Sequence, residues 1–524
     1  MTLVSILFSP TIFDLVLSSP PPLSPQISPQ SWVPRQWQRL NLEHRSGADI
    51  FEALFSASTI ATLLESPDRV DGAPSQLIRY SLCAGAPRQM ADQPRLFTPA
   101  IGEILPTLAI LLQTSRAQAL GIQDPDSQTP GSKAQHSNPW VAPTSPASPP
   151  DDLPFLGGWL GWLGFDTAWE IETLPYLKDD SLPFPVAYWY EPEQFAILDH
   201  QQQHLWLAAL SLDDLDTMVQ CLNTPDRDLP ALQTPPSSNV SQVVTLHSEQ
   251  NAFETAVQQA KDHIRAGDVF QVNLSLRFET QTSQSPWQLY RQLHQINPSP
   301  FASYWCTPWG HVISCSPERL VQLSGQTAQT RPIAGTRPRG HTPAADRQLA
   351  QTLQSNRKEQ AEHIMLVDLE RNDLGRVCTW GSIQVDELMV VERYSHVMHL
   401  VSNVMGTLRP DQTAIDLIRA TFPGGTITGC PKVRCMEIIE TLEPLRRSLF
   451  YGSCGYLDVR GNLDLNILIR TLLLAPSDQA SDPGSQTVWG QVGAGIVADS
   501  DPHQEWLESL QKAQAQLLAL GVSI

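Results

Sequence analysis

Three features are scarce in this 524-residue sequence: positive charge, paired cysteines and long apolar runs. Lysine and arginine total 34 against 54 aspartate and glutamate residues, which gives a formal net charge of −20. Nucleic acids and anionic membrane surfaces reward clustered basic residues, so we expect neither as the main partner. The sequence also lacks the uninterrupted apolar run of about eighteen residues that a transmembrane helix needs.

The eight cysteines are scattered and form no C-x-x-C pair. This spacing argues against a disulfide framework or a zinc knuckle and predicts free thiols in a reducing compartment, so we expect a cytoplasmic protein. The apolar start lacks the basic region and the cleavage site of a signal peptide, contains Pro10 and Asp14, and leads into a Pro/Ser tract. We interpret residues 1–35 as a disordered extension.

The length of the chain predicts two domains or one large composite domain. Segments rich in Pro, Ser, Gln and Asp lie near residues 123–152 and 225–241. Such segments cannot bury enough apolar area to offset their ordering entropy. We therefore predict an N-terminal region over residues 36–240, with an insertion near 123–152, and a second region over residues 245–524.

The second region has clear helix and strand patterns. Apolar spacing predicts a helix over Glu249–Ala266, and VFQVNLSLRFE alternates as a strand does. A long helix is predicted over Ala344–Leu369, and a last one from Asp501-Pro502 to about Leu520. Strands and helices are mixed without a repeating strand–helix unit, which favours an α+β fold. The Trp-rich string LGGWLGWLGFDTAWE is expected to be packed core.

Two of the predicted helices carry paired carboxylates. Glu359 and Glu362 are three residues apart, and Glu505 and Glu508 have the same spacing, so each pair shares one helix face. Carboxylate oxygens suit a hard cation such as Mg²⁺ if the fold brings the two pairs together. Without that, each pair is an ordinary solvated face.

Three further patterns suggest anion or proton chemistry. The loop FPGGTITGCPKVR has three glycines and the cations Lys432 and Arg434, which suits an anion site or a plain turn. His399, in YSHVMH, suits a metal ligand or a general acid or base. Arg470 lies in the strand-like run LNILIRTLLL, where it would need an anionic partner, structural or substrate.

Together and in this order, these motifs resemble those of chorismate-utilising enzymes. The similarity extends from about Gly267 to Ser509 through GDVFQVNLS, NPSPF, SPERL, RPIAGTRPRG, KEQAEHIMLVDLERNDLGR, YSHVMHLVS, FPGGTITGCPKVR, YGSCGYLD with NLDLNILIRT, and VGAGIVADSDPHQEWLES. The chain resembles the large component of anthranilate synthase or of aminodeoxychorismate synthase. The resemblance implies an α+β fold with a large two-sheet β-sandwich flanked by helices, and an active site in a cleft of the C-terminal region.

The resemblance also implies residue roles. Glu359, Glu362, Glu505 and Glu508 fall where the family surrounds its Mg²⁺. His399 falls where the family places the group that assists departure of the C4 hydroxyl of chorismate, and Thr426 falls in the loop that borders the ring. The positions implied in binding the anionic groups of the substrate are Arg470, Tyr451, Gly493, Gly495 and Lys512.

Two positions bear on the nucleophile and the product. Relatives that use water carry a lysine base where this chain has Gln271, so Gln271 favours amination, with ammonia supplied by a glutamine amidotransferase subunit. Enzymes that make 4-amino-4-deoxychorismate commonly have a nucleophilic lysine where this chain has Ala334. We therefore expect anthranilate and pyruvate, on the tryptophan pathway. Aminodeoxychorismate, on the folate pathway, remains the alternative, because QVNLS and GSCGYLD resemble that branch.

A second site is implied by the run LLES. It resembles the tryptophan-binding motif of feedback-inhibited anthranilate synthases, and the expected tryptophan site comprises Leu64, Glu65, Ser66, Pro300 and Phe301. In those enzymes a bulkier Tyr-Met pair often follows Ser-Pro, so inhibition by tryptophan is left open. The non-enzymatic alternative is a catalytically silent, tryptophan-binding regulatory subunit, against which the complete set of metal and substrate residues argues.

Overall fold

The computed structural model describes residues 33–66, 77–119, 141–142, 144–224, 243–394, 397–477 and 485–522. Residues 1–32 of the expected N-terminal extension lie outside these ranges, as do residues 123–140 of the expected insertion and the segment 225–241. Arg35, at the end of the expected extension, is fully buried and pairs with Glu191 at 3.2 Å. The described structure therefore begins before the predicted boundary.

The described residues form 24 strands and 11 α-helices. The helices are α1 (Gly47–Phe55), α2 (Ile104–Ala119), α3 (Ala168–Ile171), α4 (Leu212–Asn223), α5 (Gln250–Ala266), α6 (Pro286–Ile296), α7 (Pro343–Ser355), α8 (Arg357–Gly375), α9 (Ala414–Thr421), α10 (Lys432–Leu442) and α11 (Pro502–Leu520). The strands of the first half are β1 (Gln36–Asn41), β2 (Ala61–Glu65), β3 (Tyr80–Ala84), β4 (Gln89–Met90), β5 (Gln93–Pro94), β6 (Leu96–Phe97), β7 (Gly158–Leu163), β8 (Ala187–Tyr190), β9 (Phe195–Asp199) and β10 (His204–Ala209). Those of the second half are β11 (Thr245–Leu246), β12 (Gln271–Thr282), β13 (Phe301–Thr307), β14 (Gly310–Ser316), β15 (Arg319–Ser324), β16 (Thr327–Thr330), β17 (Ile333–Pro338), β18 (Gln384–Arg393), β19 (Val397–Thr407), β20 (Gly429–Cys430), β21 (Ser453–Asp458), β22 (Leu463–Asn466), β23 (Thr471–Pro476) and β24 (Gln486–Ile496).

Two large antiparallel sheets contain nearly all of these strands. The first has twelve strands, in the order β1-β10-β9-β3-β2-β13-β14-β23-β24-β12-β11, with β20 paired to β12. The second has ten, in the order β17-β19-β16-β15-β22-β21-β7-β8-β6, with β18 paired to β19. Strands from both halves of the sequence enter both sheets, so the two sequence regions build one composite structure. The predicted two-sheet α+β fold is confirmed.

The two sheets face each other across an apolar core. Trp162 of β7 contacts Trp305 of β13, in the other sheet, with ring centroids 5.9 Å apart. Strand β10 shows the expected alternation, because Trp206 faces this core while Leu205 and Leu207 face a second core under the helices. The Trp-rich string is buried in the first core, as predicted, with Trp159 only 1% exposed.

Two predicted elements need correction. The long helix predicted over Ala344–Leu369 is two helices, because Asn356 interrupts it and caps α8 by accepting from the backbone N–H of Lys358 (3.0 Å) and Glu359 (3.2 Å). The run LNILIRTLLL is not one strand, since it breaks between β22 and β23, where Arg470 has φ = 51°. The helix predicted over Glu249–Ala266 and the last helix are confirmed as α5 and α11.

All eight cysteines lie within the described residues and are free thiols. None of the helices in the described ranges combines the length and the apolar character needed to cross a membrane.

Candidate active site

The centre of the candidate site is the paired stretch of β12 and β24. Gly495 lies opposite Asn273, and Gly493 lies opposite Ser275. A Cβ atom at Gly495 would lie 2.2 Å from Nε2 of Gln271, and one at Gly493 would lie 2.4 Å from the Leu274 carbonyl oxygen. Gly493 therefore requires glycine, because backbone occupies the space of a side chain, whereas a side chain at position 495 would displace the Gln271 amide.

Gln271, at the start of β12, connects this sheet to helix α8. Its Nε2 donates to Oε1 of Glu362 at 2.9 Å. The side chain is 3% exposed, so the amide is shielded from bulk water. A carboxamide is neither acid nor base near neutral pH, and it can orient a neighbouring group without removing a proton from it.

Glu362 of α8 and Glu505 of α11 lie in one electrostatic neighbourhood. Burial raises the pKa of both carboxyls, and the negative charge of Glu508 raises each further, while Lys358 and Lys512 act in the opposite direction on both. Shared neighbours of this kind show that the fold brings the two predicted helix faces together. A raised pKa means that the buried carboxylates lack full compensation by cations.

The four predicted metal ligands do not form one ligand set in this structure. Oε1 of Glu359 accepts from Arg337 at 2.5 Å, and Oε1 of Glu508 pairs with Lys512 at 2.9 Å. Within the described ranges, no group of three or more His, Cys, Asp or Glu side chains is arranged to hold a metal ion. Two of the four carboxylates are instead turned toward cationic side chains.

The residue types nevertheless fit Mg²⁺. Oε2 of Glu359 is buried without a hydrogen-bond partner, and the raised pKa values of Glu362 and Glu505 indicate uncompensated negative charge. Carboxylate oxygens are the ligands that this cation prefers. The site thus offers suitable donors that a change in side-chain position would have to bring together.

His399, on β19, is a neutral imidazole in the interior. Burial, together with the positive charge of Arg470, lowers its pKa to about 3. Nδ1 lies 3.0 Å from Oγ1 of Thr336, while Nε2 is buried without a partner. Near neutral pH this histidine can exchange hydrogen bonds through Nε2, but it does not carry the extra proton of an imidazolium.

Ala334 lies on β17, one residue before Gly335, which approaches Glu359, and two residues before Thr336, which pairs with His399. It is 6% exposed and pairs with Leu400 on β19, and the register shifts between Ala334 and Thr336. The residue between them, Gly335, has φ = +69°, and a Cβ there would lie 2.2 Å from Oε2 of Glu359. A methyl group at Ala334 offers no nucleophile to this part of the site.

Arg470 and Tyr451 both lie in irregular segments. Tyr451 is 5% exposed with φ = 65°, and Arg470 donates from Nη1 to Oδ1 of Asn297 at 3.2 Å. Burial lowers the pKa of Arg470, and nearby Glu318 opposes this shift. The predicted anionic partner is present only as the nearby charge of Glu318, because the side-chain hydrogen bond of the half-buried Arg470 goes to the neutral amide of Asn297.

Glu318 is a candidate that the sequence motifs did not single out. It precedes β15 in the motif SPERL, is 6% exposed, and has its pKa raised by burial to about 7. The nearby Thr426 side chain and the charge of Arg470 both limit this rise. A buried carboxyl between a predicted loop residue and a predicted substrate arginine can hold a proton at neutral pH.

The cations of the glycine-rich loop are used structurally. Nζ of Lys432 donates to Asp373 at 2.7 Å and to the Thr421 carbonyl at 2.8 Å. Arg434 pairs with Asp268 at 2.9 Å and with Glu437 at 2.7 Å. The anion site that the loop suggested therefore does not obtain its charge from these two residues. By contrast, Lys512 reaches the site and donates to the Gly493 carbonyl at 2.9 Å.

Comparison with known proteins gives the family. The model of the chorismate binding enzyme family matches residues 109–518, which is more than half of the chain. The chain belongs to this family. The "Anthranilate synthase component I-like protein" of Synechocystis sp. (strain ATCC 27184 / PCC 6803 / Kazusa) is 55% identical to it, over 97% of this chain and 96% of that protein.

Other relatives of this chorismate-binding enzyme carry two different names. "Aminodeoxychorismate synthase component 1" of Bacillus subtilis is 45% identical, over 70% of this chain and 78% of that protein. "Anthranilate synthase component 1" of Synechocystis is 42% identical, over 72% and 78%. The solved structure of anthranilate synthase component I from Streptococcus pneumoniae TIGR4 superposes with a TM-score of 0.64 at 27% identity, covering 98% of this chain and all (100%) of that one.

The chorismate-binding enzyme also has a cavity of about 110 Å³, distinct from the site above. All five residues of the expected tryptophan site contribute to its lining, which includes Leu64, Glu65, Ser66, Pro300 and Phe301. Oγ of Ser66 donates to the carbonyl oxygens of Leu77 and Pro300, both at 3.3 Å, and so connects two sides of the cavity. The structure thus brings the expected residues to one hollow.

Glu65 uses its carboxylate elsewhere. Oε1 accepts from the backbone N–H of Ala48 in the first turn of α1 at 2.8 Å, and Oε2 accepts from the Tyr290 hydroxyl at 2.6 Å. Both oxygens therefore have partners within the protein. Charge in the lining comes instead from Arg319 and Asp464, which form a bidentate pair at 2.9 and 2.8 Å.

Proposed function

We propose that this chorismate-binding enzyme aminates chorismate, giving anthranilate, pyruvate and water from chorismate and ammonia. The observation that carries the proposal is Gln271, whose neutral amide donates to Glu362 where a water-using enzyme would need a base. Unprotonated ammonia is a much stronger nucleophile than water and attacks without first losing a proton to a base. The new C–N bond forms at C2, the C4 hydroxyl leaves as water, and the side chain later leaves as pyruvate.

The substrate carboxylates have candidate partners on both sides of the cleft. Glu359, Glu362, Glu505 and Glu508 would hold Mg²⁺, which when bound supplies a Lewis acid for the ring carboxylate. Arg470 would grip the carboxylate of the enolpyruvyl side chain with the donors that Asn297 leaves free, and Tyr451 would border it. Lys512 and the backbone at Gly493 and Gly495 would complete the anion-binding surface.

Proton transfer would fall to Glu318 and His399. A leaving hydroxyl needs a proton, and a carboxyl with its pKa raised to about 7 holds one at neutral pH. The neutral imidazole of His399, with Nε2 free of protein partners, would bind the departing or adjacent group as a hydrogen-bond partner. Thr426, beside Glu318, would border the ring.

The ammonia would come from a glutamine amidotransferase partner. Several relatives are named as component 1, which suits a protein that works with a second component. The sequence itself supplies no glutaminase motif. We therefore propose a glutaminase subunit as the physiological partner and expect free ammonia to replace it in the test tube.

A second product is favoured by a specific observation. The chain is more similar to the Synechocystis "Anthranilate synthase component I-like protein" (55%) than to the "Anthranilate synthase component 1" of the same organism (42%). The Bacillus subtilis "Aminodeoxychorismate synthase component 1" is 45% identical. These values keep 4-amino-4-deoxychorismate as the alternative product, formed without pyruvate release and without a lysine at position 334.

We also propose that the cavity beside Leu64 binds tryptophan. Its apolar wall and its saturated Arg319–Asp464 pair suit a flat apolar ring better than a free anion. Phe301 and Ala302 stand where inhibited relatives often have a bulkier pair, so occupancy and inhibition need separate measurement.

The deciding experiment is product analysis. The purified chain is incubated with chorismate, Mg²⁺ and an excess of ammonium salt, and products are separated and identified by mass. Anthranilate with an equal amount of pyruvate supports the proposal. Aminodeoxychorismate without pyruvate supports the second candidate, and isochorismate or no turnover contradicts both.

A further inference from the structure

Arg447 lies beneath the proposed chorismate site and has no role in the steps above. It is 2% exposed and lies between α10 and Tyr451. It binds Glu443 through two hydrogen bonds, with Nε to Oε2 at 3.0 Å and Nη2 to Oε1 at 2.7 Å. A guanidinium buried this deeply needs acceptors for its donors, because each unpaired one is costly.

The other donors of Arg447 reach two separate elements of the site. Nη1 donates to the Ile427 carbonyl at 2.7 Å, and Nη2 donates to the Asn273 carbonyl at 3.0 Å. Ile427 lies in the glycine-rich loop next to Thr426, and Asn273 lies in β12, two residues after Gln271. One rigid, planar group therefore fixes the loop relative to the strand.

Glu443 also binds β12, at Ser275, two residues after Asn273. Its Oε1 accepts from both the backbone N–H and the hydroxyl of Ser275, each at 2.8 Å. Asn273 and Ser275 are the register partners of Gly495 and Gly493. The ion pair thus holds the two β12 residues that face the two glycines of the anion-binding surface.

Tyr451 rests directly on the guanidinium. The Arg447 side chain lies 4.6 Å from the centroid of the Tyr451 ring and 4.7 Å from that of Phe165. Because Tyr451 has φ = 65°, its backbone conformation depends on surrounding contacts to hold it. Removing the guanidinium would take away the surface against which this ring packs.

We propose that Arg447, paired with Glu443, is a positioning residue for chorismate binding. It acts through Tyr451, the glycine-rich loop and β12, and touches no substrate itself. The inference rests on the proposed function, since it assumes that these three elements bind chorismate. Lysine cannot replace it, because one ammonium cannot reach Ile427, Asn273 and both oxygens of Glu443 with the same planar fork.

The neighbouring Arg446 provides a matched control. It is 3% exposed, pairs with Asp166 at 3.0 Å, and lies between the rings of Trp169 and Tyr176 at 4.0 and 4.2 Å. None of these side chains belongs to the proposed site. Arg446→Lys should therefore loosen a buried arginine of the same segment without disturbing the substrate residues.

The experiment compares Arg447→Lys, Arg446→Lys and wild type at a temperature at which all three are folded by circular dichroism. We expect Arg447→Lys to raise the KM for chorismate about tenfold or more, and Arg446→Lys to change it less than about threefold. An unchanged KM in Arg447→Lys, or an equal rise in both variants, overturns the inference while the active wild type preserves the proposed function. A wild type without chorismate turnover overturns both.

If Arg447→Lys does not fold, Glu443→Gln takes its place. The amide keeps an acceptor for Ser275 but loses the charge that orients Arg447, so the KM for chorismate should rise by a smaller factor, about threefold to tenfold. A folded Glu443→Gln enzyme with the wild-type KM overturns the inference in the same way.

Discussion

The cleft around Gln271 and the cavity beside Leu64 differ in how their charged groups are compensated. In the cleft, burial raises the pKa of Glu318 to about 7, raises that of Glu362, and helps to lower that of His399 to about 3. In the cavity, burial also raises the pKa of Asp464, but its carboxylate accepts two hydrogen bonds from Arg319 and a third from Gln322 at 2.8 Å. The charged groups of the cleft therefore have fewer protein partners than the Arg319–Asp464 pair of the cavity.

This difference indicates different tasks. Carboxyls with raised pKa values and few hydrogen-bond partners can exchange protons or bind a cation, because the protein has not already supplied their partners. A hollow whose charges are paired can recognise a ligand only by its shape and by the few polar atoms that remain. We therefore propose the cleft as the catalytic site and the cavity as a binding site with no direct part in the chemistry.

The strongest test of this division is Glu362→Gln or Glu505→Gln. Each change removes a negative charge from the uncompensated group, so we expect kcat/KM for chorismate to fall at least about a hundredfold, with a weaker response to Mg²⁺. Activity is measured across a Mg²⁺ titration. Asp368→Asn is the control, since Asp368 pairs with Arg371 on the exposed face of the same helix. Variants as active as this control would show that neither carboxylate is needed for turnover, which contradicts the proposed Mg²⁺ site.

A somewhat smaller effect is expected for His399→Gln. The variant loses the buried imidazole Nε2 that has no hydrogen-bond partner in the protein, so kcat should fall about a hundredfold while the KM for chorismate changes little. Because the pKa of His399 is about 3, the pH dependence between pH 5 and 7 should have the same form in variant and wild type. His311→Gln, at a half-buried histidine next to Tyr304, is the control. A wild-type acid limb that disappears only in His399→Gln would contradict the neutral imidazole.

Much of the fold followed from local patterns, but the exceptions share a cause. α5, β12 and α11 were predicted because their apolar spacing and caps are local signals. The break at Asn356 was missed because helical spacing continues across it, although Asn followed three residues later by Glu359 is a capping pattern. Arg470 was placed in a strand because its neighbours are apolar, whereas its backbone conformation is set by contacts with distant segments.

Site residues that belong to a recognisable motif were predictable from the sequence, whereas those distinguished only by their burial were not. The resemblance supplied Gln271, His399 and the glutamates, and the structure brings Gln271, Glu362 and Glu505 into one neighbourhood. Glu318 gained interest only through its burial between Thr426 and Arg470, which the letters SPERL do not reveal. Arg447 is likewise one of two adjacent arginines, and only their different contacts distinguish them.

The Glu318→Gln variant tests the raised pKa of this carboxyl through the pH dependence of the free energy of unfolding. The folded-state pKa of about 7 exceeds the ordinary value of 4.5, so wild type is favoured by this group below about pH 4.5 and loses that contribution as pH rises through 7. Glutamine does not titrate, so the variant should gain up to about 3 kcal/mol relative to wild type between pH 4.5 and 8. Urea unfolding at both pH values measures this. A difference that does not change with pH would mean that folding does not raise the pKa of Glu318.

The smallest expected effect on turnover comes from the cavity. Tryptophan should raise the free energy of unfolding of wild type by about 2.7 kcal/mol at a hundred times its Kd. A dose–response with chorismate shows whether binding inhibits. Ser66→Leu fills part of the cavity and removes the hydrogen bonds from Ser66 to the Leu77 and Pro300 carbonyls. The stabilisation by tryptophan should therefore disappear, while kcat/KM without tryptophan stays within about twofold. Equal stabilisation of both proteins would place tryptophan elsewhere. Because the charges of the cavity are already paired, we expect it to have no direct part in the chemistry. A large loss of turnover in Ser66→Leu would contradict this and show that the cavity and the cleft are one functional unit.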